Sequence, residues 1–243
     1  MGGFANNAPI VTDGLVFCVD AGNGNSYPGS GTTWSDLIGS NDGAFSATPT
    51  TDSANGGSIV FDDTDDIVVH GSSNNITGDN LQTCTFSAWF KTTSTGLGYI
   101  ASIKRQSTSS TLFTLAVNTT GSGAVNNGHA GFMTRNNANS AHNTVTDNNS
   151  GNGWNDGNWH CLVGVINGTT RTLYIDGVQK GVDNQGMQSV TGNTADFTIG
   201  GFDVSGFANQ FYGGNIANVT FYRKSLSASE VLQNYNALKN RFV

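Results

Sequence analysis

The densest group of chemistry-bearing side chains is Asp62, Asp63, Asp65 and Asp66, four carboxylates in five positions. Calcium takes about six to eight oxygen ligands, carboxylates and backbone carbonyls among them, so a tight turn between strands would suit it. A solvated acidic turn is the alternative for the same four residues. Of the four histidines, His70, His129, His142 and His160, the pair His129 and His142 lack a nearby serine or cysteine nucleophile with an acid to orient the ring. Cys18, Cys84 and Cys161 are odd in number and lack paired metal spacing. They read as buried reduced thiols, with one disulfide plus a free thiol as the other arrangement. Sugar recognition combines a flat aromatic ring with amides or carboxylates for hydroxyls. Tyr27, Trp34, Trp154, Phe207 and Tyr212 lie among Asn, Asp and Gly, so they are the carbohydrate-binding candidates. Trp34 and Trp154 would equally serve as plugs at the ends of a sandwich.

The elements that must position these groups are short and extended. The 243 residues include 33 Gly, 30 Asn and only 11% charged residues, and Glu230 is the single glutamate among 17 acids. Helix formers are scarce, which excludes a helical bundle. A net charge of −7 with 10 Lys+Arg leaves no basic footprint for nucleic acid or anionic lipid. No apolar run approaches the roughly 20 residues that span a membrane. The start, MGGFANNAPIVTDGLVF, has no basic residues ahead of an apolar run, so no secretory signal is expected.

Strands are predicted at Gly14–Asp20, Ser58–Asp62, Ile67–His70, Thr83–Thr92, Tyr99–Lys104, Thr111–Val117, His129–Arg135, Trp159–Ile166, Arg171–Ile175, Asp196–Ile199 and Asn215–Arg223. Many short strands between turn signals favour a sandwich or barrel. In CTFSAWF, Cys84, Phe86, Ala88 and Phe90 share one face, leaving Trp89 to line a groove on the other. Asp176-Gly177 is a two-residue hairpin turn. Ala217, Val219 and Phe221 fall on one face of a late strand. A helix capped by Ser225 or Ser227 then runs to Asn240, its apolar spacing marking it as packed on the sandwich. Segment 118–157 reads as loop, with strand at His129–Arg135 and a weaker signal at His142–Thr146.

Four blocks carry a resemblance: GSIVFDDTDDIVVHG, TCTFSAWFK, GNWHCLVGVINGTTRTLYIDGVQKG, and FTIGGF followed by FYGGNIANVTFYRKSLSASEVLQNY. In order and spacing, over about Val16 to Asn236, they resemble the laminin G-like and pentraxin-like branch of the concanavalin A-like lectin/glucanase superfamily. The opening GLVFCVDAGNGNSYPGSGTTWSDLIGSNDGAF resembles a leader of such domains in marine bacteriophage structural proteins. The resemblance implies an all-β fold: a two-sheet antiparallel jelly roll spanning residues 13–226, with an N-terminal arm at 1–12 and a short C-terminal helix at 227–243. His160 after Trp159 matches the family's Trp-His pair, implying a structural role. The pentraxin calcium loops do not carry over, because Ser107-Thr108 follows Lys104-Arg105-Gln106 and only Asp203 remains in the later loop. The pentraxin disulfide is matched at Cys161, but Ser87 occupies the partner position.

Glucanases of this fold use paired glutamates on one strand, whereas Glu230 stands alone in the expected helix. More generally, glycoside hydrolysis needs two carboxylates about 5 to 9.5 Å apart. Nor is the Gln-x-His strand of alginate-lyase relatives present. The reading is therefore a non-enzymatic virion surface protein, such as a capsid decoration, head fibre or tail appendage. Its partners would be other virion proteins and glycans, and it would form a homo-oligomer. The alternative is a carbohydrate-binding module of a secreted polysaccharide-degrading system.

Overall fold

Alternating apolar residues build two facing sheets. The computed structural model describes residues 8–78, 81–104, 111–119, 125–135, 142–147, 153–184, 196–202 and 210–242. Its strands are β1 (Leu15–Asp20), β2 (Thr33–Trp34), β3 (Gly43–Phe45), β4 (Thr50–Asp52), β5 (Ser58–Asp62), β6 (Val68–Ser72), β7 (Thr83–Lys91) and β8 (Gly98–Lys104). There follow β9 (Thr111–Thr119), β10 (Val125–Arg135), β11 (His142–Thr146), β12 (Trp159–Asn167), β13 (Thr170–Ile175), β14 (Val178–Asp183), β15 (Asp196–Ile199) and β16 (Gly213–Tyr222). A short helix α1 (Ser73–Thr77) and a terminal helix α2 (Ala228–Phe242) complete the described elements.

One sheet runs β14-β13-β12-β7-β16-β5-β4, with β1 also paired to β16; the other runs β11-β10-β9-β8-β15-β6-β3-β2. Every pairing among the described strands is antiparallel. The expected two-sheet antiparallel sandwich is therefore what forms. Between the sheets, Phe86 meets Phe113, Phe197 and Phe221 at ring centroid distances of 5.2, 5.4 and 5.6 Å. Offset and edge contacts of this kind add to the area they bury.

The hairpin turn has the expected geometry, because Asp176 (φ 53°) and Gly177 (φ 75°) both adopt the left-handed backbone of a primed turn. Its second strand, β14, was not expected from the sequence, since VQKGVD shows mixed exposure rather than clean alternation. The short strands β2, β3 and β4 likewise lie outside the strands expected from the sequence. Strand β11 carries out the weaker signal at His142–Thr146.

Two expectations about faces are corrected. Ala217 does not share a face with Val219 and Phe221. A bulge between Ile216 and Asn218 sends Ala217 outward, while Ile216 joins Val219 and Phe221 in the core. An extra residue in one strand shifts the alternation in this way. Trp89 lines no open groove either, because α2 lies over it. Its ring stacks on Tyr235 (5.5 Å) and Phe242 (4.4 Å).

The helix begins where Ser227 and Glu230 cap each other. The Ser227 N–H donates to Glu230 Oε2 at 2.8 Å, and the Glu230 N–H donates to Ser227 Oγ at 3.3 Å. At its far end, Arg241 grips Asp20 through both carboxylate oxygens and donates to the Asn55 and Gly57 carbonyls. The end of the expected N-terminal arm also lies on this helix: the Val11 N–H donates to Asn234 Oδ1 at 2.8 Å, and Gln233 donates to the Pro9 carbonyl. Residues 1–7 of that arm lie outside the described residues.

Candidate functional site

At one end of the β7-containing sheet, three strand ends leave polar groups around an open cleft of about 470 Å³. Strand β7 ends at Lys91, β5 ends at Asp62, and β16 begins at Gly213. The cleft is lined by Asp62, Asp63, Lys91, Ser94, Gly157 and Asn215, among others. Glycine at 213 and 214 is a steric requirement. A Cβ on Gly213 would lie 2.8 Å from that of Asp63, and one on Gly214 would lie 2.3 Å from the Lys91 carbonyl oxygen.

A hydrogen-bonded frame holds these walls. The Thr92 hydroxyl donates to the Gly213 carbonyl and accepts the Ser94 N–H at 2.9 Å. Ser94 Oγ donates to Asp63 Oδ2 at 3.0 Å, and Asn215 donates to Ser58 Oγ at 3.0 Å. The Gly157 N–H donates to the Thr92 carbonyl, tying the opposite wall to the same strand end. Tyr212, fully buried, donates its hydroxyl to the Lys91 carbonyl at 2.9 Å. Lys91 makes no ion pair with another described residue. The cleft thus offers a cation, amides, hydroxyls and carboxylates in a small space.

The four aspartates divide. Ligand oxygens of Asp62, Asp65 and Asp66 all lie within 4.8 Å of one another. Asp62 Oδ1 already accepts the N–H groups of Thr64 (2.9 Å) and Asp65 (3.3 Å), fixing the turn. Burial, then the charges of Asp62 and Asp65, push the Asp66 carboxyl above its ordinary range. Asp63 leaves the cluster: its backbone is left-handed (φ 65°) and its carboxylate takes Ser94 at the cleft. Three carboxylates fit the donor chemistry of calcium but supply only part of its oxygen shell.

The aromatic candidates for sugar stacking lie in the interior. Tyr27, Trp34 and Tyr212 are 4%, 0% and 1% exposed, and Trp154 is 7% exposed. Trp34 stacks on Phe45, while Trp154 packs edge-on to His160 and donates its indole N–H to Asp147. Large apolar rings gain more from core burial than from exposure, and Trp34, Trp154 and Tyr212 pack accordingly, while Tyr27, though 4% exposed, borders a second cleft of about 370 Å³ with Pro28 and Asp52. Phe207 lies outside the described residues. The residues that do converge, Lys91, Ser94 and Asn215, were missed. The only sequence signal for them is that they stand at or just beyond strand ends, where rigid scaffolds place functional loops.

The remaining groups are engaged elsewhere. All three cysteines are free and buried. Burial pushes the Cys18 and Cys161 thiols up to about 12 and raises Cys84 as well. Ser87 Oγ sits 3.8 Å from Cys161 Sγ, where the pentraxin-like pairing would have placed a second cysteine. The Lys224 ammonium, with the Ser227 amide, holds the Glu230 carboxyl down at about 2. His70 donates from Nδ1 to the Asn41 carbonyl, and burial lowers it to about 4, so it is neutral at pH 7. His129 bonds Asp147 at 3.1 Å, with no nucleophile on its other side among the described residues.

His160 is clamped between carboxylates, Nδ1 on Asp176 Oδ2 (2.8 Å) and Nε2 on Asp156 Oδ1 (3.2 Å). Burial acts to lower its pKa, but the bonds and charges of Asp176 and Asp156 outweigh it and raise the value above 6.5. Both nitrogens donate in the imidazolium form. This stability is fully present below the unfolded histidine pKa and is lost as pH rises through the higher folded value. Thermal midpoints from pH 6 to 9 should therefore fall more steeply in wild type than in His160→Gln. Parallel curves would remove the imidazolium from the account.

The sandwich with a rim cleft defines a lectin-like class of domain. Residues 62–232 match the family model of the concanavalin A-like lectin/glucanases superfamily, of laminin G type, and the chain belongs to that superfamily. Among solved structures, the chain is similar to a Trypanosoma rangeli sialidase in complex with the inhibitor DANA. That likeness has a TM-score of 0.68 and 14% identity, covering 100% of this chain and 36% of that one. It is also similar to the botulinum neurotoxin serotype D binding domain (TM-score 0.66, 15% identity, 92% of this chain and 51% of that one). A third is the binding domain of botulinum neurotoxin DC in complex with SialylT (TM-score 0.66, 12% identity, 93% of this chain and 52% of that one). The chain spans about a third to a half of the length of these structures. No curated protein matches it.

Proposed function

We propose that this chain is a non-catalytic, glycan-binding domain of a virion surface protein, a capsid decoration, head fibre or tail appendage. The observation that carries the binding role is the polar cleft at Asp62, Asp63, Lys91, Ser94 and Asn215. Such mixed donors and acceptors suit sugar hydroxyls. The neurotoxin binding domain in complex with SialylT, on a similar fold, supports a glycan as the ligand class. The non-catalytic part is supported by the carboxylates present: Glu230 caps α2, Asp62 holds a turn, and Asp63 is tied to Ser94. The virion part rests on the opening segment's similarity to phage structural proteins, and other virion proteins are the partners it implies, with a homo-oligomer following from particle symmetry.

Purified protein should give saturable binding on a glycan array, and Lys91→Ala with Asn215→Ala should weaken it at least about tenfold, one lost hydrogen bond to a charged group being worth that much. Loss of binding in a chelator would assign calcium to Asp62, Asp65 and Asp66. An array without any signal would sink the glycan role. Mass spectrometry of purified phage particles tests the location separately, and absence of the chain from them would leave the module of a polysaccharide-degrading system as the reading.

A further inference from the structure

The charges around the cleft are unbalanced. Asp62 and Asp63 line it, Asp65 and Asp66 share the turn that closes it, and Asp52 reaches Asn215 at 3.5 Å. Among the described lining residues, the carboxylates of Asp62 and Asp63 face one ammonium, Lys91. Of the other described cations, Arg241 binds Asp20, and Lys180 lies over the Trp154 ring at 5.3 Å. Burial first, and then the neighbouring charges of Asp62 and Asp65, raise the Asp66 carboxyl above its ordinary range.

Resting on the glycan-binding reading above, we propose that the cleft selects saccharides without negative charge and favours amine-bearing ones, the amine facing Asp63 and the Asp62–Asp66 turn. A carboxylated or sulfated sugar entering the same space meets the carboxylates of Asp62 and Asp63 on the lining, at contact range and so well inside the screening length of about 8–10 Å. Lys91 and Asn215 then serve hydroxyls and ring oxygens rather than an acidic group. Polar uncharged walls at Thr92, Thr93 and Ser94 fit this division.

The test uses the full chain in chelator with three hexasaccharides: glucosamine, N-acetylglucosamine and galacturonate. The glucosamine hexamer should bind roughly tenfold tighter than its acetylated counterpart at low salt, with galacturonate weakest. At high salt, where the screening length falls to about 3 Å, the first two should converge. Asp63→Asn, checked for an unchanged thermal midpoint, should remove most of the preference for the amine. If Asp63→Asn and Asp66→Asn leave the preference intact, general surface acidity explains it and the assignment fails. Tighter binding of galacturonate would overturn the charge selection while leaving glycan binding standing. Failure of every glycan, of any charge, on the wider array would overturn both readings together.

Discussion

Trp89→Ala is expected to destabilise the domain by about 3–5 kcal/mol, the usual cost of removing a buried tryptophan. The residue is 1% exposed and lies under Tyr235 and Phe242 on the outer face of its sheet. Cys18, Trp159, Tyr174, Ala217, Tyr222 and Val231 complete the layer that α2 shares with that sheet. Without the ring, the helix loses its central contact, and the Arg241 grip on Asp20 is left to hold it. Urea unfolding should show a lower midpoint, and near-ultraviolet circular dichroism should lose the signal of the stacked aromatics. Trp89→Phe keeps the stack and should recover much of the loss. A Trp89→Ala protein of wild-type stability would mean that α2 is an appendage rather than a third layer.

Arg171→Ala is the second large effect, about 2–4 kcal/mol. Arg171 is 1% exposed on β13 and shares its inward face with Leu173 and Ile175. Its Nη1 crosses to Thr134 Oγ1 on the opposite sheet at 2.5 Å, and its Nη2 meets Asp183 Oδ2 at 2.9 Å. Burial lowers its pKa, and the Asp183 charge acts the other way. Removing the guanidinium strands a partly buried carboxylate and opens a void between the sheets. The lower end of the range reflects Asp183, whose side chain is 22% exposed and keeps some solvent. Arg171→Met fills the void without a charge and should stay within about 1 kcal/mol of wild type, since buried ion pairs are often replaceable by apolar residues. Equal losses in the two variants, measured by denaturant unfolding, would show that the ion pair and not the packing holds this end.

Most strands were legible because their side chains alternate over a half-buried surface. Thr83–Lys91 and Trp159–Asn167 carry enough apolar residues to be read directly, and Ser227 with Glu230 marks the start of α2. Strand β14 escaped because Gln179, Lys180 and Gly181 face a mixed environment at a sheet edge. The cleft was only partly legible. The acidic turn announced itself by composition, and Asp62 and Asp63 do line the cleft. Lys91, Ser94 and Asn215 lie far apart in sequence and meet only because β7 pairs with β16, Lys91 opposite Asn215.

By itself, then, the sequence determined the class of fold, most of the strand positions and the presence of a single glutamate, all of which depend on local periodicity and residue type. Tertiary structure decided which aromatic rings are buried, where the bulge at Ala217 turns the alternation, and which polar groups share a cleft. Those outcomes depend on which strands become neighbours and on what covers each face. Tyr27, Trp34, Trp154 and Tyr212 have the composition of a sugar site, yet burial claims their rings because the core gains more from them than a surface would.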